Sequence, residues 1–171
     1  EHESGRLTYG ELDLKSRVLA AHLQQEVLPG THALLLYPSG LEFITAFFGC
    51  LYAGIVAIPL ALPHLVRLNR TLPRLRAIAH DAEAKLVLTT ATVGRRANEL
   101  IASVPELAGA RFIATDHVAQ GSAVQWQEPR LAPDAIAFLQ YTSGSTSTPR
   151  GVVLSHLNIL QNLAYIQQCE D

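Results

Sequence analysis

The chain has 171 residues, 49% of them hydrophobic and 16% charged, with a formal net charge of −2. That length suits about one domain, and the apolar content is enough for a packed core without bulk disorder. The charge argues against a nucleic-acid surface, which would show a clustered basic face. Two cysteines, Cys50 and Cys169, are too few for a disulfide framework, and Cys50, inside an apolar segment, reads as a small core residue. No basic-then-apolar leader opens the chain, so a cytoplasmic location is expected. Methionine is absent even from position 1, and Asp171 follows a patterned helix with no closing element. The chain therefore reads as a fragment of a longer protein.

In chain order, helix and strand signals alternate. Thr8 with Glu11 forms a capping box, and the helix it opens sets Leu12, Leu19, Leu23 and Val27 close to one face before Pro29-Gly30 stops it. Ala33 to Tyr37 has strand length. Ser39 with Glu42 predicts a second capping box, followed by Ile44, Phe47, Phe48 and Leu51 at helical spacing. Gly54 suits the left-handed position past that helix, and Ile55 to Ile58 is a β-branched strand ended by Pro59. From Phe43 to Leu62, 20 residues carry no charge, enough to span a bilayer. Gly49, Gly54 and Pro59 interrupt the run, its preference switches from helix to strand, and no basic residues flank it closely. A buried helix followed by a parallel strand explains it better than a membrane span.

Arg67, Arg70, Arg74 and Arg76 lie around Leu68, Leu72, Leu75 and Ile78, the pattern of a helix to about Asp81 with a solvated basic face. A surface for an acidic partner is the sharper alternative. Pro73 in the first turn would start that helix later than Leu68. Lys85–Thr89 reads as a strand, Ala91–Val104 as a helix and Ala110–Ala114 as a strand. Residues 116–134 are turn-rich around the sole tryptophan, Trp126. A strand at 136–140, a loop, the apolar run 151–154 and a last helix complete the order; Ser155 can cap that helix, striped by Ile159, Leu160, Leu163 and Ile166. Repeated strand–helix–strand units predict an α/β fold, a mostly parallel sheet with helices on both faces.

The loop carries the chemistry. Six of the seven residues from Thr142 to Thr148 bear a hydroxyl and the seventh is Gly144. Small hydroxylated residues let backbone and hydroxyl donors approach a polyphosphate, and Arg150 adds a fixed charge in a forked geometry. A flexible Ser/Thr linker is disfavoured because the stretch joins two apolar strand-like runs. A Walker loop fails as well: Pro149 and Arg150 stand where Gly-Lys would be, and a strand-like run precedes the helix. Elsewhere the seven histidines show no metal-ligand spacing, and no G-x-S-x-G elbow occurs. His156 reads as a polar residue satisfied at a helix terminus. Asp81 and Glu83 read as surface carboxylates near a helix end.

Tyr141-Thr142-Ser143-Gly144-Ser145-Thr146-Ser147-Thr148-Pro149-Arg150-Gly151-Val152 resembles the signature loop of the adenylate-forming superfamily, T-S-G-[ST]-T-G-x-P-K-G. Ser147 stands where Gly is usual and Arg150 where Lys is usual; Arg is not a neutral replacement for a compact ammonium on phosphate. The resemblance runs along nearly the whole chain. Leu7-Thr8-Tyr9-Gly10-Glu11-Leu12 is similar to the family's opening helix motif, Leu51 to Pro59 to its L-x-A-G-x-x-x-x-P segment, and Ser155-His156-Leu157-Asn158 to its S-H-x-N helix start. Within the superfamily, Phe138 to Tyr141 running into the loop, Ser147, and Asn69 to Ile78 most resemble fatty acyl-AMP ligases.

This resemblance implies the N-terminal part of the large N-terminal domain of an AMP-binding enzyme, spanning 1–171 as a single domain. It implies activation of a fatty acid with ATP to acyl-adenylate, releasing pyrophosphate, for transfer to an acyl carrier protein (or CoA) in polyketide, lipopeptide or complex-lipid biosynthesis. ATP phosphates would meet Thr142, Ser143, Gly144, Ser145, Thr146, Ser147, Arg150 and Gly151, with Mg²⁺ bridging phosphate oxygens. Catalytic and metal-binding residues would lie downstream, leaving the fragment inactive. An acyl-CoA synthetase, an amino-acid adenylation domain, and a non-catalytic binding or scaffold module are the alternatives.

Overall fold

Six short strands build a single sheet with Arg111–Ala114 (β4) and Arg150–Ser155 (β6) at its edges; between them, from the β4 side, lie Leu86–Thr89 (β3), His32–Tyr37 (β1), Val56–Ala61 (β2) and Ile136–Thr142 (β5). The computed structural model of the chain describes residues 5–62, 68–118, 123–142 and 149–170. The first five run parallel, and β6 pairs antiparallel to β5. The helices are α1 (Tyr9–Glu26), α2 (Leu41–Ala53), α3 (Leu68–Asp81), the short α4 (Ala91–Gly94) and α5 (Ala97–Ser103), and α6 (His156–Glu170).

Alternation along the strands divides the core into two layers. Ala33, Leu35 and Tyr37 of β1 pack with Leu86 and Leu88 of β3 against Leu19, Ala20 and Leu23 of α1 and Ala46, Cys50 and Ala53 of α2. Leu34 and Leu36 point the other way, with Ile58, Val87, Leu139 and Tyr141, against Leu75, Ile78 and Ala79 of α3. Burial on both faces explains why β1 reads as a continuous apolar run rather than an alternating one. Its edge is pinned by Thr89, whose buried hydroxyl donates to the Leu36 carbonyl at 2.5 Å.

Most element boundaries follow the sequence signals. The Thr8–Glu11 box forms in both directions, with Thr8 N donating to Glu11 Oε2 at 2.8 Å and Glu11 N to Thr8 Oγ1 at 3.2 Å. Gly54 takes the left-handed conformation past α2, at φ 73°. The Ser39–Glu42 box does not form. Gly40 occupies the cap and makes no side-chain bond there, so Ser39 stands one residue outside it and Glu42 one short of the third helical position. Glu42 instead folds back over Gly40, its Oε2 within 2.8 Å of where a Cβ would sit.

Pro73 does not delay α3, which begins at Leu68 and carries the proline inside it. Burial of Leu75, Ile78 and Ala79 against the sheet outweighs the lost backbone donor. The single helix expected over 91–104 is two, broken at Arg95-Arg96 just after Gly94, a weak helix former. No helix among the described residues is long and apolar enough to cross a membrane, and the uncharged run 43–62 divides into α2 and β2.

Candidate functional site

The antiparallel ladder between β5 and β6 sets the site. Tyr141 pairs with Gly151, and Thr142 with Arg150, so the two strands present Thr142 and Arg150 side by side at the sheet's end. Both are exposed. None of the ion pairs among the described residues involves Arg150, which leaves its guanidinium available to an anion. Gly151 lies flat against Tyr141: a Cβ there would come within 3.1 Å of Tyr141 Cζ. A methyl there would need the ring to give by a few tenths of an ångström.

The strand-like run after the loop is thus a true strand, and it turns the loop into the connection of a hairpin rather than the entry to a helix. Of the predicted phosphate-binding residues, Thr142, Arg150 and Gly151 come together in this way, while Ser143, Gly144, Ser145, Thr146 and Ser147 lie outside the described residues. Helix α6 then starts with satisfied ends. Asn158 N donates to Ser155 Oγ at 3.2 Å, and Ser155 N donates to Asn158 Oδ1 at 3.0 Å. His156 N and Leu157 N donate to the carbonyls of Ala135 and Pro133, which accounts for two more of the helix's orphan donors. His156 Nε2 is buried with no hydrogen-bond partner, and burial holds its imidazole pKa below the ordinary value.

Behind the hairpin lies a contact that sequence reasoning missed. Tyr141 is 4% exposed, and its hydroxyl donates to Asp81 Oδ2 at 2.6 Å. Desolvation first, then the Asp81 carboxylate, raise the phenol pKa. Arg74 Nη2 donates to the Tyr141 carbonyl at 3.1 Å. The basic face expected on α3 is therefore partly engaged, since Arg76 also pairs with Glu106 at 3.0 Å. Arg67 and the side chain of Arg70 lie outside the described residues. The only sequence signal for the Tyr141 contact was Asp81 itself, a carboxylate at a helix C-terminus where the macrodipole disfavours it.

A second missed cluster lies on the opposite side of the sheet. Arg17 Nε donates to Asp13 at 2.9 Å, and Tyr52 Oη donates to the same carboxylate at 3.0 Å. The Arg17 guanidinium lies 4.5 Å from the Trp126 ring centre, and Trp126 Nε1 donates to the Tyr52 carbonyl at 2.9 Å. Aromatic stacking and charge together fasten the turn-rich segment to α1 and α2. No group of three or more His, Cys, Asp or Glu among the described residues is placed to hold a metal ion.

The fold matches known proteins along almost the whole chain. The family model for AMP-binding enzymes matches residues 2–171. A medium-chain-fatty-acid–[acyl-carrier-protein] ligase, JamA of Moorena producens, is 47% identical over 98% of this chain and 28% of its own length. The long-chain-fatty-acid–AMP ligase FadD32 of Mycolicibacterium smegmatis is 36% identical over 94% of this chain and 25% of its own length. Among solved structures, a fatty acyl-adenylate ligase from L. pneumophila, in complex with acyl adenylate and pyrophosphate, superposes with a TM-score of 0.82. It is 36% identical, over 97% of this chain and 28% of that one. McyG A-PCP complexed with phenylalanyl-adenylate has a TM-score of 0.79 at 26% identity, over 92% of this chain and 28% of that one. The chain thus spans about a quarter of the length of these relatives. By its sequence over residues 2–171 and by its fold, it belongs to the AMP-binding enzyme family.

Proposed function

We propose that the protein containing this chain is a fatty acyl-AMP ligase, and that these residues form the N-terminal part of its large N-terminal domain. The observation that carries the reading is the likeness, along almost all of the chain, to a fatty acyl-adenylate ligase whose structure holds acyl adenylate and pyrophosphate. In the reaction, a fatty-acid carboxylate oxygen bonds to the α-phosphorus of ATP, and the bond from that phosphorus to the pyrophosphate oxygen breaks. Acyl-adenylate forms and pyrophosphate leaves. A carrier-protein thiol then takes the acyl group and AMP departs.

The chain's part is to hold the polyanion in line and to neutralise charge moving onto the leaving pyrophosphate. Arg150 supplies the fixed positive charge and Thr142 a hydroxyl donor, while Gly151 lets β6 lie close against Tyr141. Ser143, Gly144, Ser145, Thr146 and Ser147 complete the phosphate-binding set. Mg²⁺, when bound, would add to the neutralisation of phosphate charge. The cellular compartment is proposed to be the cytoplasm, in polyketide, lipopeptide or complex-lipid synthesis.

The test is carboxylate-dependent ATP–pyrophosphate exchange by the full-length protein, comparing fatty acids with amino acids, followed by addition of carrier protein or CoA. Fatty-acid-dependent exchange with transfer to carrier protein is expected. The likeness to McyG, bound to phenylalanyl-adenylate, favours amino-acid adenylation as a second reading, and amino-acid-dependent exchange would select it. Exchange with neither acid would leave a binding or scaffold module. The isolated 171 residues are expected to catalyse no exchange, and exchange by them would refute the assignment of the remaining machinery to other residues.

A further inference from the structure

Tyr141 is held on three sides by two different elements. Its hydroxyl reaches Asp81, its carbonyl takes a bond from Arg74, and its ring lies against Gly151. Arg74 and Asp81 are seven residues apart on α3, two turns along one face. One helix face thus meets both the backbone and the side-chain tip of a single strand residue. The position of Asp81 is informative. As the last residue of α3, its carboxylate faces the negative end of the helix dipole, so nothing local favours it. Its 2.6 Å bond from Tyr141 is in the short, charge-assisted range and comes from 60 residues away in sequence.

The strand geometry adds a second observation. β2 and β5 register through Ala57 and Phe138, and Pro59, two residues beyond Ala57 in β2, has no N–H for a ladder. At the end of β5, Arg74 supplies a donor to the Tyr141 carbonyl. One step further along the β5–β6 ladder is the Thr142–Arg150 pair.

We propose that Asp81 and Arg74 are positioning residues that, through Tyr141, fix where Thr142 and Arg150 meet the ATP phosphates. The role deepens the fatty acyl-AMP ligase reading and rests on it. α3 acts as a brace: it contributes no group to the phosphates, but it sets the height and angle at which the hairpin end presents them.

The experiment uses the full-length protein with Tyr141→Phe, Asp81→Ala, Asp81→Asn and the Tyr141→Phe/Asp81→Ala pair. In pyrophosphate exchange, Tyr141→Phe and Asp81→Ala should each raise the KM for ATP by about tenfold, the scale of one lost bond to a charged group. kcat and the fatty-acid KM should stay within about twofold of wild type, and Asp81→Asn, which keeps an acceptor oxygen, should recover most of the loss. The double variant should be no worse than the single ones. Folded variants with the wild-type ATP KM would overturn the proposal, even if their melting temperatures fall, because a purely structural bond predicts that pattern. Hydrogen exchange of the peptide covering 140–151 serves as a second measurement. It should speed up about tenfold in Tyr141→Phe while β1 and β3 peptides stay unchanged; unchanged exchange overturns the brace. If wild type shows no carboxylate-dependent exchange at all, the ligase reading fails, and hydrogen exchange alone decides whether α3 braces the hairpin.

Discussion

Arg150 and Gly151 are neighbours in sequence, but substituting them probes different physics. Arg150→Ala removes a charge that forms no ion pair among the described residues, so stability should change by less than about 0.5 kcal/mol. The KM for ATP of the full-length protein should rise about tenfold or more if Arg150 makes the charge-assisted phosphate contact proposed for it; an unchanged KM would remove Arg150 from the site. Gly151→Ala pushes a methyl against the Tyr141 ring and should cost about 1–2 kcal/mol, seen as a lower denaturant midpoint. His156 gives a pH signature. Burial lowers its pKa from the ordinary 6.5, so below that value the unfolded chain binds more protons than the folded one. Stability from this residue is therefore complete above about pH 6.5 and declines as pH falls towards the lowered folded value. His156→Gln should flatten that limb of a stability–pH curve, and an identical curve would show that the imidazole takes no part.

Elements whose signals are local were legible from sequence; those settled by distant contacts were not. The Thr8–Glu11 box closes within one turn, so its residues suffice to predict it. Ser39 and Glu42 have the same spacing, yet Gly40 takes the cap, a choice made by backbone geometry that composition does not encode. The hydroxyl-rich loop was read from the chemistry of its residues, and 143–148 lie outside the described residues. The α3 brace behind it was not, because Tyr141 and Asp81 meet only after the sheet has formed. The Arg17–Trp126 stack is equally long-range, and it makes a prediction at the level of elements. Arg17→Ala should loosen segment 123–127 from α1 and α2, shifting the emission of the sole tryptophan to the red with little change in circular dichroism. Emission unchanged from wild type would mean that the Trp126–Tyr52 hydrogen bond holds the segment by itself.

For the whole molecule, periodicity carried the architecture: a mostly parallel sheet with helices on both faces was legible, as was the order of its elements. What covers each face was not. The expected stripe of α6 exists, but Leu160 is 63% and Leu163 55% exposed, and on β6 Val152 is 49% and Val153 57% exposed. An apolar surface of this kind asks for a cover. The 171-residue chain alone should therefore self-associate, sedimenting above its 18.6 kDa mass, and Leu160→Lys with Leu163→Lys should restore the monomer. A wild-type chain that stays monomeric would show that the surface is tolerated in water. The central strand has a different consequence, for synthesis. β1 is buried from Ala33 to Tyr37, and its pairing with β3 is complete only once the chain has been made as far as Thr89. Between Tyr37 and Thr89 about 50 residues must emerge, which takes on the order of 3–10 seconds at ordinary elongation rates. For that interval the sequence Ala33-Leu34-Leu35-Leu36-Tyr37 is an uncharged apolar strand that can pair with β2 on one side but keeps its β3 side open, the kind of segment that seeds aggregation. Slower growth and bound chaperone should raise the yield of folded protein more than any substitution at the proposed nucleotide site.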